Sequence, residues 1–417
     1  MAPLSPEDRA RRNLDVVVWG ATGFTGQLCA EYLAKGALRE QVKWAIAGRS
    51  EAKLQDIKAR IQAMGGEKVV PEVIVCSLDD AAGLRKMAAS TRVIASLAGP
   101  FSQMGTPILE ACIAENCDYC DITGEVPWVK IESERLGAAA EANGVILSSC
   151  CGYDSLPSDL GTLYAISKLR EKYGHGVEVG KAKMYMSNFG SLSGGTLASG
   201  IAMENNPELN AMNKNPFLLG GEPRSGPSEE DADYTSYELD ADAKSWIAPF
   251  GMAMINTRIV RKSGAALGYG PDFRYQEVSL AASEKAAEKM ARPTPPAAKR
   301  QAMVEAGRLP KQGEGPPKEL RAKSWFKAIG RVEVANDPSK HVWIQVSGGD
   351  PGYEETAKML AESAICLARQ RETLPRKGGF LTPATSMGSA LIERLQVAGI
   401  RFEQIAGPPN DKLSAKF

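Results

Sequence analysis

Seven consecutive residues, Gly20-Ala21-Thr22-Gly23-Phe24-Thr25-Gly26, carry three glycines at intervals of three. The chemistry this pattern supports is cradling of a phosphate by backbone. Gly20 permits a tight turn off a strand, and Gly23 lets the chain approach a pyrophosphate without a side chain between. Gly26 lets the next helix lie close on the strand. The start of that helix aims free N–H groups at the phosphates. Thr22 and Thr25 add hydroxyl donors. A glycine-rich turn that merely packs is the alternative; the strand before it and the helix after it favour a dinucleotide.

Which dinucleotide is decided one strand later. An NAD site places a carboxylate about 20 residues past the glycines, where it binds the ribose 2′-hydroxyl. Here the strand ends Ala47-Gly48-Arg49-Ser50, with no acid at its tip. Arg49 can pair bidentately with a 2′-phosphate. Ser50 offers a hydroxyl and Lys53 a further charge. The expected cofactor is therefore NADP(H). Ser77 and Leu78 fall where an adenine pocket would form, and Leu97-Ala98-Gly99-Pro100 where ribose and nicotinamide would lie.

Hydride chemistry also asks for a proton donor. Histidine is scarce, at two residues. Tyr153 and Asp154 follow the sixth predicted strand, at the edge where nicotinamide should sit. Tyr153 could donate to a carbonyl oxygen and Asp154 could polarise it. The blander readings weigh more: an aromatic anchor between domains for Tyr153, and a helix N-cap for Asp154. Glu125 reads as a loop brace near the same cleft. The eight cysteines include Cys117-x-x-Cys120 and the adjacent Cys150 and Cys151. No second ligand pair of zinc spacing accompanies them, so no metal site is expected, and reduced, packed thiols are.

The elements that must position these groups alternate. Roughly the first 150 residues give strand patterns at 14–19, 42–47, 69–76, 92–97, 118–122 and 145–149, with helices between. This predicts a doubly wound parallel sheet of the Rossmann type. A helix is expected at 158–172, then strands at 177–187, 274–282 and 342–347 in a mostly antiparallel sheet. Residues 292–317, rich in proline and charge, read as a surface excursion. Helices at 353–371 and 385–398 are expected to pack back on the first domain, with a last strand at 400–405. The fold class is α/β with a second α+β domain. The expected division is 1–157, 158–350 and 351–417.

Lys+Arg and Asp+Glu both number 50, a balance that argues against a nucleic-acid partner. The N-terminal residues lack the apolar core of a secretory signal. The most apolar stretch, 246–255, is about half the ~20 residues of a spanning helix. A cytoplasmic protein is expected, with peripheral membrane or lipid-droplet contact and a homodimer left open.

The chain resembles the saccharopine-dehydrogenase-like oxidoreductases, and within them the trans-acting enoyl reductases. The resemblance rests on Gly20 to Gly26 with Ala47-Gly48-Arg49, Ala98-Gly99-Pro100-Phe101, and Asp121-Ile122-Thr123-Gly124-Glu125. It extends through Cys151-Gly152-Tyr153-Asp154-Ser155-Leu156-Pro157-Ser158-Asp159, Ser193-Gly194-Gly195-Thr196, Gly349-Asp350-Pro351-Gly352-Tyr353, and the strings at 381–384 and 391–395. It implies an active cleft between two domains, NADP(H), and reduction of an enoyl or carbonyl group in a lipid-like or thioester-linked substrate. Saccharopine dehydrogenases proper carry Asp-Pro-Gly where this chain has Asp154-Ser155-Leu156-Pro157. An opine-type dehydrogenase would need clustered arginines, for which Arg258, Arg261 and Arg274 are the candidates. A cofactor-binding, lipid-associated regulator without turnover is the third reading.

Overall fold

The computed structural model describes residues 3–66 and 69–408. A short helix α1 (Pro6–Ala10) precedes β1 (Leu14–Trp19), all six residues of which are buried. Then follow α2 (Phe24–Glu40), β2 (Trp44–Gly48), α3 (Glu51–Gly65), β3 (Glu72–Val75), α4 (Ala81–Ser90) and β4 (Thr91–Ser96). After them come α5 (Phe101–Met104), α6 (Thr106–Ala114), β5 (Asp118–Asp121), α7 (Val126–Ala142) and β6 (Ile146–Ser148). The valine-rich run of β1 is apolar on both faces because it pairs in parallel with β2 and β4 and is covered on both sides. The sheet order β6-β5-β4-β1-β2-β3 reverses direction at β1, which opens a crevice at the carboxyl ends of β1 and β4.

The chain continues through α8 (Leu156–Tyr173), β7 (Val179–Phe189), α9 (Gly194–Asn205), α10 (Pro207–Asn213), β8 (Glu238–Asp240), β9 (Ser245–Pro249) and α11 (Ala253–Leu267). Next are β10 (Arg274–Ala281), α12 (Glu284–Met290), α13 (Ala297–Glu305), α14 (Lys318–Arg321), β11 (Trp325–Val334) and β12 (Asp337–Gly348). The end comprises α15 (Thr356–Arg369), β13 (Gly379–Leu381), α16 (Pro383–Ser386), α17 (Gly388–Val397) and β14 (Arg401–Ile405). The second sheet runs β14-β12-β11-β7-β10-β9-β8 and is antiparallel except for β7 against β10.

The last segment serves both sheets. α15 lies on α2, β1, β4 and β5, and β13 adds a seventh parallel strand beside β6. β14 instead pairs with β12, so the last predicted strand extends the second sheet. One apolar cluster runs without a break from Val16 and Ile46, through Leu160 and Leu360, to Ile344 and Phe402. Both sheets are thus packed through α8 and α15. A buried ion triad ties the chain ends together: Asp118 on β5 accepts from Arg9 at 2.8 Å and Arg371 at 2.9 Å.

Candidate active site

The glycine turn has the geometry its residues require. Gly20 adopts φ +81°, and a Cβ there would lie 2.9 Å from the Ala98 nitrogen. A Cβ on Gly26 would lie 2.3 Å from the Gly20 oxygen, so that glycine lets α2 rest against the turn. Gly23 is the N-cap of α2, and no side chain caps the helix. The first-turn N–H groups are therefore left for an external acceptor, and the helix dipole favours an anion there.

This turn forms one side of a cavity of about 1050 Å³. Gly20, Thr22, Gly23, Phe24, Thr25, Arg49, Ser77, Leu78, Leu97, Ala98 and Gly99 all line it. Ala21 and Gly26 are buried behind the turn and support it through backbone packing. Ser50 is the N-cap residue of α3, yet its hydroxyl makes no capping bond. Neither Ser50 nor the exposed Lys53 is part of the cavity wall, and Pro100 is buried behind the loop it begins. The size, the uncapped helix mouth and the guanidinium at the tip of β2 fit a dinucleotide bearing a 2′-phosphate.

At the other end, the loop after β4 is braced by Glu125. Its carboxylate accepts from the Phe101 N–H at 2.7 Å, the Ser102 N–H at 2.9 Å and the Ser199 hydroxyl at 3.1 Å. It thus caps α5 from the loop after β5 and links that loop to α9, which is the brace its position predicts. Asp121 beneath it accepts from the N–H groups of Thr123 and Cys150 and from the Ser149 hydroxyl, each at 3.0 Å. Burial lifts the Asp121 carboxyl to about 6 against these bonds.

The two predicted catalytic residues part company. Asp154 lines the cavity, and its carboxylate has no hydrogen-bond or ion-pair partner among the described residues. It is not an N-cap: α8 begins at Leu156, with Ser155 in the cap position. Burial raises the Asp154 carboxyl from 3.8 to about 6. Tyr153, by contrast, is 5% exposed and is not part of the wall. Its ring packs edge-on against Phe326 at 5.0 Å, and its hydroxyl is buried without a partner. Burial, then the charges of Glu277 and Asp154, hold that phenol protonated. The geometry is that of an anchor between the sheets: the turn before α8 sends adjacent side chains to opposite sides, Asp154 outward and Tyr153 inward.

The opposite wall comes from elements whose role is not legible locally. α9 supplies Thr196, Leu197, Ser199 and Met203, and the start of α11 supplies Met252, Met254 and Ile255. The 292–317 segment, expected on the surface alone, contributes Thr294, Arg300, Gln312 and Gly313. It is held there from afar. Glu204 accepts from the Ala297 N–H at 2.7 Å and pairs with Arg300, and Gln312 donates to the Gly99 carbonyl at 3.3 Å. Phe24 is the meeting point of the two halves. Tyr353 stacks edge-on against it at 5.2 Å, the Arg321 guanidinium lies 5.5 Å from its ring centre, and a Cβ on Gly315 would lie 2.3 Å from its ring edge.

The arginines proposed for a carboxylate substrate are all engaged elsewhere. Arg258 grips Asp233 and the carbonyls of Asn213 and Asn215. Arg261 donates to the carbonyls of Pro216, Asp231 and Tyr275. Arg274 binds Asp231 and Ser228. Together they strap the acidic 220–233 loop onto α11 and β10. Cavity-lining cations are Arg49 and Arg300, the latter neutralised by Glu204. All eight cysteines are buried and unpaired, and burial pushes the thiols of Cys29 and Cys151 up to about 12. Such thiols are inert. No helix among the described residues is long and apolar enough to cross a membrane; residues 246–255 form β9, a turn and the start of α11.

Residues 16–147 match the saccharopine dehydrogenase NADP binding domain. The trans-acting enoyl reductase of Mycobacterium leprae is 30% identical over 430 residues, covering 95% of this chain and 98% of that protein. That of Mycobacterium tuberculosis (strain H37Rv) is 30% identical over 417 residues, covering 94% and 97%. Among solved structures, the saccharopine dehydrogenase (L-Glu forming) of Saccharomyces cerevisiae superposes with a TM-score of 0.51 at 12% identity. It covers 94% of this chain and 99% of that one, a likeness of fold. With its NADP-binding domain and its full-length kinship to these enzymes, the chain belongs to the trans-acting enoyl reductase family of NADP-dependent oxidoreductases.

Proposed function

We propose that this protein reduces the carbon–carbon double bond of an α,β-unsaturated acyl substrate, with Asp154 as the proton donor. Bound NADPH would supply the hydride for the β-carbon. The electron pair of the double bond then moves toward the acyl carbonyl, and the α-carbon takes a proton. Asp154 carries the reading: it is the cavity's one partnerless carboxyl among the described residues, and burial keeps it protonated further toward neutrality than a free aspartate.

The division of labour follows from the walls. The mouth of α2 and Arg49 hold the diphosphate and 2′-phosphate. The Glu125-braced loop sets the nicotinamide end. Leu197, Met203, Met252 and Ile255 take an apolar chain, and methionine adapts to irregular shapes. Leu192 and Met254, 48% and 40% exposed, form an apolar rim at the opening, where a substrate-bearing partner or lipid surface would seat. An amino-acid substrate is disfavoured because Arg258, Arg261 and Arg274 are all committed to the 220–233 loop.

The test is loss of NADPH absorbance with three substrate classes: enoyl thioesters of rising chain length, saturated ketones, and 2-oxo acids with an amine. Turnover of the enoyl series alone, improving with chain length, supports the proposal. Turnover of 2-oxo acids with an amine, or of no class, overturns it.

A further inference from the structure

A second buried carboxylate shares a neighbour with Asp154, since both act on the Tyr153 phenol, but it stands behind the cavity wall. Glu277 on β10 is 1% exposed and takes no part in the cavity lining. Three side chains donate to it: Asn256 from α11 at 2.8 Å, Tyr275 from its own strand at 2.9 Å, and Ser158 from α8 at 3.2 Å. No cation pairs with it among the described residues. A buried carboxylate without a counter-charge is costly, and a glutamine or an apolar side chain would fill the place more cheaply. Its surroundings give a reason for the charge. Asn256 turns its amide oxygen to the Ser155 hydroxyl at 3.1 Å and its amide nitrogen to Ser158 at 3.2 Å. Ser155 stands in the N-cap position of α8 but does not cap it, because its hydroxyl is spent on Asn256. Ser155 is the residue directly after Asp154.

We infer that Glu277 is a positioning residue: its ionised carboxylate orients Asn256, and Asn256 through Ser155 holds the loop that presents Asp154 to the cavity. The inference rests on the reading of Asp154 as proton donor. A carboxylate accepts all three donors at once, whereas a protonated Glu277 brings an O–H of its own, so Tyr275 or Ser158 must reverse its hydroxyl to accept, and the bonds that Ser158 shares with Asn256 rearrange. Asn256, linked to both ends, transmits that change to the loop. Burial, opposed by the three hydrogen bonds, places the Glu277 carboxyl at about 7, so both states are populated near neutrality. The other ionisable groups around it are few. Tyr275 and Tyr153 face it as buried phenols, and Asp154 and Asp159 lie on the α8 side. The Arg261 guanidinium on α11 is turned to the Tyr275 carbonyl.

The experiment measures kcat and KM for NADPH across pH 5–9 in the wild type, Glu277→Gln, Ser155→Ala and Asp154→Asn. The wild type should give a bell that rises to about pH 6 and falls beyond about pH 7, its acid limb reporting the need for ionised Glu277 and its alkaline limb the need for protonated Asp154, a minority pairing of the two. Glu277→Gln should lose the acid limb and keep the alkaline one, with kcat at pH 7.5 down about tenfold and KM for NADPH within about twofold. Ser155→Ala breaks the last link without touching the buried carboxyl and should flatten the same limb. A difference infrared spectrum between pH 5 and pH 9 should show a buried carboxyl band that Glu277→Gln lacks. An unchanged acid limb in either variant, while Asp154→Asn is inactive, overturns the positioning role alone. Turnover within tenfold of wild type in Asp154→Asn overturns the donor reading and the inference with it.

Discussion

Replacing Asp154 with asparagine should inactivate the enzyme and, at alkaline pH, stabilise it. Burial raises this carboxyl from 3.8 to about 6, and no hydrogen bond or ion pair offsets the burial. A tenfold change in proton affinity corresponds to about 1.4 kcal/mol, so the ceiling is about 3 kcal/mol. The side chain is half-buried at a cavity wall that water reaches, which lowers the expected effect to about 1–2 kcal/mol. The folded-state value is raised, so the native state binds the proton more tightly than the unfolded chain does. Full stability is present below about pH 4 and is lost as pH climbs through 6. Asparagine carries no charge to bury. Asp154→Asn should therefore unfold at higher urea than wild type at pH 8 and at the same urea at pH 4. Turnover should move the other way, down about 10²–10⁴-fold, the usual worth of a positioned acid. On the alkaline side of its optimum the wild type should lose about tenfold in kcat/KM per pH unit, as the protonated fraction falls. Urea titrations at the two pH values and a pH–rate profile test all three points. Activity within tenfold of wild type would remove Asp154 from the donor's role, and equal urea midpoints at pH 8 would show that burying its charge costs nothing.

Arg49→Ala should weaken NADPH about tenfold and NADH by less than about twofold, since the side chain is exposed and its pairing with phosphate is partly screened. Fluorescence titration decides this, and an equal loss for both nucleotides would contradict the phosphate assignment. Asp118→Ala would strand the guanidiniums of Arg9 and Arg371, which are 7% and 6% exposed. The expected loss in a urea unfolding curve is about 3–5 kcal/mol, and a loss below about 1 kcal/mol would mean the triad is solvated.

What could be read from sequence was what is local. The turn from Gly20 to Gly26 states its own geometry, because each glycine answers to an atom within a few residues or on the adjoining strand. Asp154 was visible as a polar residue at a strand end, but its direction was not. The next residue, Ser155, gives its hydroxyl to Asn256, about a hundred positions away, a contact that no local pattern announces. The 292–317 segment looked like surface because prolines and charges fill it, and nothing in its own pattern points to Glu204 or Gly99. Helix α11 was hidden for the opposite reason. Its Arg258 and Arg261 break an apolar stripe on paper, yet both are buried against carboxylates and carbonyls from the 213–233 region. β13 is three residues long, too short for a periodic signal, and exists because the edge of β6 offers a parallel partner.

The uncapped mouth of α2 is where the dinucleotide's diphosphate should rest. Gly23→Asp tests it most directly. Gly23 has an ordinary φ of −73°, and a Cβ there meets only the Gly20 oxygen, at 3.4 Å, so the fold should accept a side chain. An aspartate N-cap would satisfy the α2 N–H groups with its own carboxylate and put a negative charge where the phosphates belong. Calorimetric titration with NADPH should give a clear binding heat for the wild type and none for Gly23→Asp, while the variant melts no lower than the wild type. Undiminished NADPH affinity in a well-folded Gly23→Asp would mean that the diphosphate lies elsewhere.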